Sequence, residues 1–135
     1  MDEKYAREIV AHAFQDDPNE CCGIIAGKDG KILNIYRISN TEASPYRYKM
    51  DPGDHYRSIK DMEDNGWETI AFYHSHTHTP AYPSDTDVRM ATWDGTSIWP
   101  GVKFILVSLE NREYPSIKAF SIEDGTVTEE DMTIC

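Results

Sequence analysis

A chain of 135 residues is long enough to bury a hydrophobic core, and we expect residues 1–135 to form a single domain. The hydrophobic fraction of 39% and the charged fraction of 27% are typical of a globular protein and argue against an intrinsically disordered one. The net charge of −11 argues against a nucleic-acid partner, which needs clustered Lys and Arg, and disfavours an anionic membrane surface.

The N-terminal residues Met1 to Lys4 lack the apolar region of a signal peptide, and the longest apolar stretch, around residues 102 to 109, is too short to span a bilayer. We therefore expect a cytoplasmic location. The cysteines Cys21, Cys22 and Cys135 are odd in number and two are adjacent, which fits neither a disulfide framework nor a CxxC metal site. We expect Cys21 and Cys22 to be buried free thiols.

The first third of the chain predicts a helix followed by a hairpin. Apolar residues recur at helical spacing over residues 3 to 15. Residues 20 to 27 and 31 to 38 predict two strands, joined by a turn at residues 28 to 30. Residues 46 to 50 predict a further short strand.

A second helix is predicted from residue 52 to about residue 65. Asp51 and Pro52 are typical residues at a helix N-terminus, and Gly66 is typical of the position after the last turn. The apolar and aromatic residues from 68 to 76 then predict a strand.

The last part of the chain mixes a short helix with strands. A loop at residues 77 to 83 leads to Ser84, which is a suitable cap for a helix that we expect to end at about Trp93. A buried strand is predicted at residues 102 to 109, and a closing hairpin at residues 116 to 122 and 126 to 128. Irregular alternation of helices with hairpins predicts an α/β fold of the α+β type, with a mixed, largely antiparallel sheet flanked by helices.

Three side chains in the middle of the chain form a candidate metal site. His74 and His76 are two apart on a strand, so both project from one face and both can reach a single ion. The loop that follows is long enough to bring Asp87 back onto them. Two imidazoles and one carboxylate leave the fourth position of a zinc ion open, as in catalytic zinc sites. Such a site also needs a general base and an oxyanion donor.

Taken singly, these residues have simpler interpretations. A pair of histidines on a strand is more often a half-buried polar face than a pair of ligands. Ser84 and Asp87, three apart at a helix start, are nearly a capping box, although capping and catalysis are compatible.

The other histidines are weaker candidates. Pro80 interrupts the strand, so we predict that His78 lies at the surface or lines a cleft and is not a ligand. His12 and His55 lie on predicted helices without partners, and we predict structural roles for both.

The stretch from His74 to Asp87, with His-Ser-His, seven residues and Ser-x-x-Asp, resembles the signature of the JAMM, or MPN+, metallopeptidases. Upstream, Glu20 followed by two cysteines and Gly23 resembles the glutamate segment of that family. Pro100 and Gly101, followed by an apolar strand, resemble the Pro-Gly pair and the strand that follow the zinc helix in bacterial members. The resemblance covers most of the chain and implies the cytidine-deaminase-like JAB/MPN fold.

The resemblance also implies roles for individual residues. Glu20 would be the general base, and Ser84 would stabilise the oxyanion. Thr77 is a departure, because relatives commonly have proline there, but it removes no catalytic group. One zinc ion per chain would be bound by His74, His76 and Asp87.

For function, the resemblance implies zinc-dependent hydrolysis of a peptide or isopeptide bond after the Gly-Gly tail of a ubiquitin-like or sulfur-carrier protein. Small bacterial members resemble hydrolases that release cysteine from a sulfur carrier. Two alternatives stay open: a deconjugating peptidase for other ubiquitin-like modifiers or an unrelated substrate, and a non-catalytic MPN binding module. We expect residues 40 to 50 and 77 to 83 to line the substrate groove.

Overall fold

The computed structural model describes residues 1–93 and 95–135. Within these residues the chain forms three helices: α1 (Glu3–Asp16), α2 (Pro52–Asn65) and α3 (Asp85–Met90). The strands are β1 (Cys22–Lys28), β2 (Lys31–Ile38), β3 (Glu68–His76), β4 (Thr92–Trp93), β5 (Thr96–Ser97), β6 (Lys103–Ser108), β7 (Ser116–Glu123) and β8 (Thr126–Glu130).

Six of these strands form one sheet, in the order β2-β1-β3-β6-β7-β8. Strands β3 and β6 are parallel, and the other neighbours in the sheet are antiparallel. Strands β4 and β5 pair separately as a short hairpin. The predicted mixed, largely antiparallel sheet is therefore confirmed.

Side chains alternate between the two faces of the sheet and build a core on each. Cys22 and Ile24 pack with Met62 of α2 on one face. Cys21 and Ile25 pack with Ile9 of α1 on the other. Burying each isoleucine stabilises the fold by about 1.5–3 kcal/mol. Both cysteines are buried free thiols, as predicted.

Helix α2 begins and ends where the sequence predicts. The Asp51 carboxylate accepts a hydrogen bond of 2.9 Å from the Asp54 N–H, which caps the first turn. Gly66 ends the helix with a φ of 72°, a left-handed conformation that glycine adopts without steric cost. Among the described residues, no helix has the length and apolar character needed to cross a membrane.

The predicted strand at residues 46 to 50 is wrong. Within residues 1–93 and 95–135, the segment forms no strand and contributes one isolated bridge, between Asn40 and Met50. The reason is local: the Asn40 side chain accepts from the Lys49 N–H at 2.9 Å and donates to the Arg47 carbonyl at 3.1 Å. These backbone groups are satisfied by a side chain and need no neighbouring strand.

Helix α3 ends at Met90 and does not reach Trp93 as predicted. The Thr92 hydroxyl donates to the Val88 carbonyl at 2.8 Å, and Thr92 and Trp93 then enter the hairpin with β5. β-branched and aromatic residues favour strands. Gly95, with a φ of 77°, supplies the left-handed conformation between the two strands.

Candidate metal centre

The C-terminal end of β3 presents two buried histidines on the face that packs against α2. His74 is 2% exposed and His76 is 4% exposed. Ser75 lies between them and points to the opposite face, where its hydroxyl accepts a hydrogen bond of 2.8 Å from the Cys21 N–H. The alternation of the strand therefore places both imidazoles together.

The first turn of α3 carries the third member of the site. Ser84 is the N-cap, and its hydroxyl accepts a hydrogen bond of 3.1 Å from the Asp87 N–H. In return, the Ser84 N–H donates to Oδ2 of Asp87 at 2.9 Å, which completes a capping box. Capping fixes the position of the Asp87 carboxylate.

The carboxylate of Asp87 reaches both histidines. Its Oδ2 atom lies 3.0 Å from Nε2 of His74 and 3.1 Å from Nε2 of His76. The two Nε2 atoms are 3.3 Å apart. The three side chains thus offer one ligand atom each within 4.8 Å of one another, which is the convergence that the sequence spacing predicts.

A hydrogen bond orients the His76 ring. Its Nδ1 lies 2.8 Å from the Pro80 carbonyl oxygen, which can only accept, so Nδ1 carries the proton. With Nδ1 engaged in this way, Nε2 is the ring nitrogen left for a metal ion, and it lies 3.1 Å from Oδ2 of Asp87. A hydrogen bond from the other ring nitrogen to a carbonyl fixes the tautomer of metal-binding histidines in this way.

The charges in the site favour an anionic Asp87. Burial by itself would raise the pKa of Asp87, but the nearby His74 charge and hydrogen bonds from both histidines and the Ser84 N–H hold it well below its usual value. Burial by itself would lower the pKa of His76, but bonding to Asp87 and to Pro80 raises it. A carboxylate that stays ionised is a ready ligand for a cation.

Glu20 lies beside this group, immediately before Cys21, and is 4% exposed. Its N–H donates to the Ser44 carbonyl at 2.9 Å. Its Oε1 atom is buried and has no hydrogen-bond partner within the described residues. Burial raises the pKa of Glu20 to about 8, with the Asp87 charge adding to the rise and His76 opposing it.

These residues fit a catalytic zinc ion. The donor set of two imidazoles and one carboxylate is the set that zinc uses when one coordination position stays open. A buried carboxylate oxygen without a partner is costly unless a ligand or water satisfies it, and the Glu20 side chain supplies such an oxygen beside the donors.

Sequence reasoning missed one aromatic contact to the site. Tyr48, which is half-buried, stacks on His74 with ring centroids 4.6 Å apart and planes inclined by 29°. A small cavity of about 150 Å³ opens beside Asp87, and Tyr48 and Trp99 are among its lining residues. The sequence predicts that residues 40 to 50 line the substrate groove, and this range includes Tyr48, but it does not predict the contact with His74.

The remaining histidines lie outside the group formed by His74, His76 and Asp87. His78 is exposed in the loop after β3, consistent with the prediction of a surface position. His12 is buried on the opposite face of the sheet and has a structural contact with Tyr73. His55 packs against the Trp99 ring and lines the small cavity, so it borders the site, which the sequence did not predict.

Residues 2–122 match the family described as prokaryotic homologs of the JAB domain. The chain belongs to this family. Its JAB domain is 38% identical over 128 residues to the CysO-cysteine peptidase of Mycobacterium tuberculosis, covering 93% of this chain and 84% of that protein. It is 32% identical over 111 residues to the desampylase of Haloferax volcanii, covering 77% of this chain and 76% of that protein.

Solved structures agree with this assignment. The fold is similar to that of a Desulfitobacterium hafniense protein, with a TM-score of 0.85 and 34% identity over 100% of this chain and 93% of the other. It is also similar to a JAB1/MPN domain protein of Archaeoglobus fulgidus, with a TM-score of 0.61 over 99% and 94% of the two chains. At 17% identity the second similarity concerns the fold alone. The expected JAB/MPN fold is confirmed.

Proposed function

We propose that this JAB-domain protein is a zinc-dependent hydrolase of the JAMM type. It cleaves the amide bond after the Gly-Gly tail of a sulfur-carrier or ubiquitin-like protein and releases cysteine. The observation that carries the proposal is the placement of the Asp87 carboxylate within 3.1 Å of the Nε2 atoms of His74 and His76. Beside them lies Oε1 of Glu20, which has no hydrogen-bond partner among the described residues. The similarity to a CysO-cysteine peptidase over 93% of the chain supports the substrate class.

We assign one zinc ion per chain to His74, His76 and Asp87. When bound, zinc acts as a Lewis acid that lowers the pKa of a water molecule and polarises the amide carbonyl. The protein keeps both imidazoles in place by burial and by the bond from His76 to Pro80. The capping box of α3 keeps the carboxylate in place.

Glu20 is assigned as the general base. Its carboxylate accepts a proton from water through Oε1, which makes no hydrogen bond to the part of the chain that the structure describes, and then gives that proton to the leaving amine. A pKa raised by burial suits both steps, because proton transfer is most efficient when the pKa of the base is near the working pH.

Ser84 is assigned as the oxyanion donor. In the capping box its oxygen accepts from the Asp87 N–H, so the cap uses a lone pair and leaves the hydroxyl proton free. Ser84 is exposed, and its hydroxyl is therefore available to a substrate carbonyl. A donor placed in advance stabilises the charge that develops on that oxygen.

A Gly-Gly tail suits this site, because residues without side chains can pass a narrow groove and lie close to backbone.

We further propose that residues 1–135 act as a single JAMM/MPN+ domain, supported by the six-stranded sheet that runs from Cys22 to Glu130. We also propose a cytoplasmic location. The three free cysteines support it, because reducing compartments keep thiols reduced.

The deciding experiment gives the zinc-loaded protein two substrates, a Gly-Gly carrier bearing one cysteine and the same carrier linked to a lysine of a second protein. The products are followed by mass spectrometry, with the chelator-treated protein as control. Release of cysteine from the first substrate is expected. Cleavage of the second alone would identify a deconjugating peptidase, which the similarity to a desampylase favours as second candidate. Binding of the tail without cleavage would identify a binding module.

A further inference from the structure

Asn40, the second residue after β2, uses the full hydrogen-bonding capacity of its side chain. Oδ1 accepts from the Glu42 N–H at 3.0 Å and from the Lys49 N–H at 2.9 Å. Nδ2 donates to the Glu20 carbonyl at 3.0 Å and to the Arg47 carbonyl at 3.1 Å. A side-chain amide has two donor hydrogens and two acceptor lone pairs, so each is used once.

The two acceptor bonds and the donor bond to Arg47 fold residues 40 to 50 into a closed loop. Arg47 and Lys49 flank Tyr48 directly, and both are bonded through their backbone to Asn40. Tyr48 is the residue that stacks on His74. Asn40 therefore holds the chain on both sides of the ring that contacts a candidate metal ligand.

The remaining donor bond reaches Glu20 itself. The Glu20 carbonyl accepts from Asn40, and the Glu20 N–H donates to the carbonyl of Ser44 in the same loop. Ala43, directly before Ser44, has a φ of 45°, a left-handed conformation that is unfavourable for alanine. Such a conformation persists where the surrounding bonds fix the backbone, and the bond between the Ser44 carbonyl and the Glu20 N–H directly follows it.

We propose that Asn40 is a positioning residue that fixes both halves of the site, the Glu20 carboxylate through its backbone and the His74 ring through Tyr48. The proposal rests on the proposed function, since Glu20 is the assigned base and His74 an assigned ligand. The four hydrogen bonds of the Asn40 side chain go to backbone groups, and none goes to the assigned ligand atoms or to the Glu20 carboxylate. Its effect is geometric, and small misplacements of catalytic groups reduce turnover strongly.

The substitution Asn40→Asp separates positioning from loop closure. Aspartate has the same shape and keeps the two acceptor bonds from Glu42 and Lys49, but it cannot donate to the carbonyls of Glu20 and Arg47. Two control variants lose comparable bonds. Thr41→Val removes a hydroxyl bond of 3.2 Å to Lys49 within the same loop. Asn65→Asp removes an amide bond of 2.8 Å to Asp61 on α2.

Two readouts are measured for each variant. The first is amide hydrogen exchange at Glu20 in the metal-free protein, which does not depend on activity. The second is kcat and KM per zinc-loaded molecule. In Asn40→Asp we expect Glu20 exchange to accelerate about tenfold or more and kcat to fall about 10- to 100-fold, with KM nearly unchanged. Both control variants are expected to match the wild type in both readouts.

Wild-type exchange and kcat in Asn40→Asp would overturn the proposal, as would equal losses in Asn40→Asp and Thr41→Val, because the effect would then be loop stability alone. If Asn40→Asp does not fold, Asn40→Ala, which removes all four bonds without adding a charge, is measured in the same way. If the wild type hydrolyses no carrier, the proposed function fails, and exchange at Glu20 still decides whether Asn40 positions that residue.

Discussion

The phenol ring of Tyr48 stacks on the imidazole of His74, with centroids 4.6 Å apart and planes inclined by 29°. Stacking restricts the rotation of a ring whose Nε2 atom faces Asp87. We predict that Tyr48→Leu weakens zinc binding by about tenfold, the scale found for residues that orient metal ligands, whereas Tyr48→Phe, which keeps the stack, binds zinc as the wild type does. Competition with a chromophoric chelator measures the affinity.

A matched control is Tyr114→Leu, because Tyr114 is 75% exposed. If Tyr48→Leu and Tyr114→Leu bind zinc equally well, the stack does not position His74. If Tyr48→Phe binds as weakly as Tyr48→Leu, the hydroxyl and not the ring face is responsible.

The Asp87 carboxylate serves as both helix cap and assigned zinc ligand, and Asp87→Asn separates these roles. The amide oxygen can still accept from the Ser84 N–H, so we predict that α3 and the metal-free fold persist. The anionic ligand is lost, so zinc content falls from one per chain to well below one. Elemental analysis after dialysis measures zinc, and circular dichroism measures the fold.

Asp85→Asn is the control for this experiment, since Asp85 is an exposed acid in the same first turn of α3. It should keep one zinc ion per chain. Full zinc occupancy in Asp87→Asn would remove Asp87 from the ligand set.

Glu20→Gln tests the assigned base. The amide has nearly the same shape but cannot accept a proton from water, so we predict a loss of about 10²–10⁴-fold in kcat with zinc content unchanged. The fold should be at least as stable, because a buried neutral amide replaces a group whose charged form is disfavoured by burial. Glu63→Gln on the exposed side of α2 is the control. Turnover close to that of the control would mean that another group moves the proton.

Ser84→Ala tests whether the cap is also a catalyst. Loss of the N-cap bond to Asp87 should cost about 1 kcal/mol of stability. Loss of the oxyanion donor should reduce kcat per folded molecule by about 10²–10³-fold. Asp2→Ala removes the N-cap of α1, whose carboxylate accepts from the Lys4 N–H, and should cost stability alone. Similar turnover in both variants would leave Ser84 with a capping role only.

The sequence predicted the convergence of His74, His76 and Asp87 because these residues follow local rules. Strand alternation places His74 and His76 on one face, and the spacing of Ser84 and Asp87 is that of a helix cap. The conformation of the loop at residues 40 to 50 could not be predicted from such rules. The aromatic residues around Tyr48 favour a strand, but hydrogen bonds with the Asn40 side chain determine the backbone there. Three of the four bonds of that side chain span 7, 9 and 20 residues of the chain. Strand propensity depends on residues that are neighbours in sequence. Asn40 instead donates to the carbonyl of Glu20, which is 20 residues away in the chain.

A buried histidine on the opposite face of the sheet makes stability depend on pH. His12 is 4% exposed, with Nδ1 2.7 Å from the Tyr73 hydroxyl and Nε2 3.3 Å from an Asp16 carboxylate oxygen. Burial lowers the pKa of His12 below 6.5; the charge of Asp16 opposes this, and that of Arg37 adds to it. The folded state therefore binds fewer protons at His12 than the unfolded state does just below pH 6.5.

Stability should consequently fall as the pH drops from about 6.5 towards the lowered pKa of His12, by at most about 1.4 kcal/mol per pH unit for one proton. We predict that His12→Gln, which cannot take up this proton, loses less stability than the wild type between pH 7.5 and about pH 5. Urea unfolding of the metal-free proteins measures the difference, because every other titratable group is the same in both proteins. His78→Gln, at an exposed histidine, should follow the wild-type curve. Parallel curves for His12→Gln and the wild type would show that His12 is not held in its neutral form by the fold.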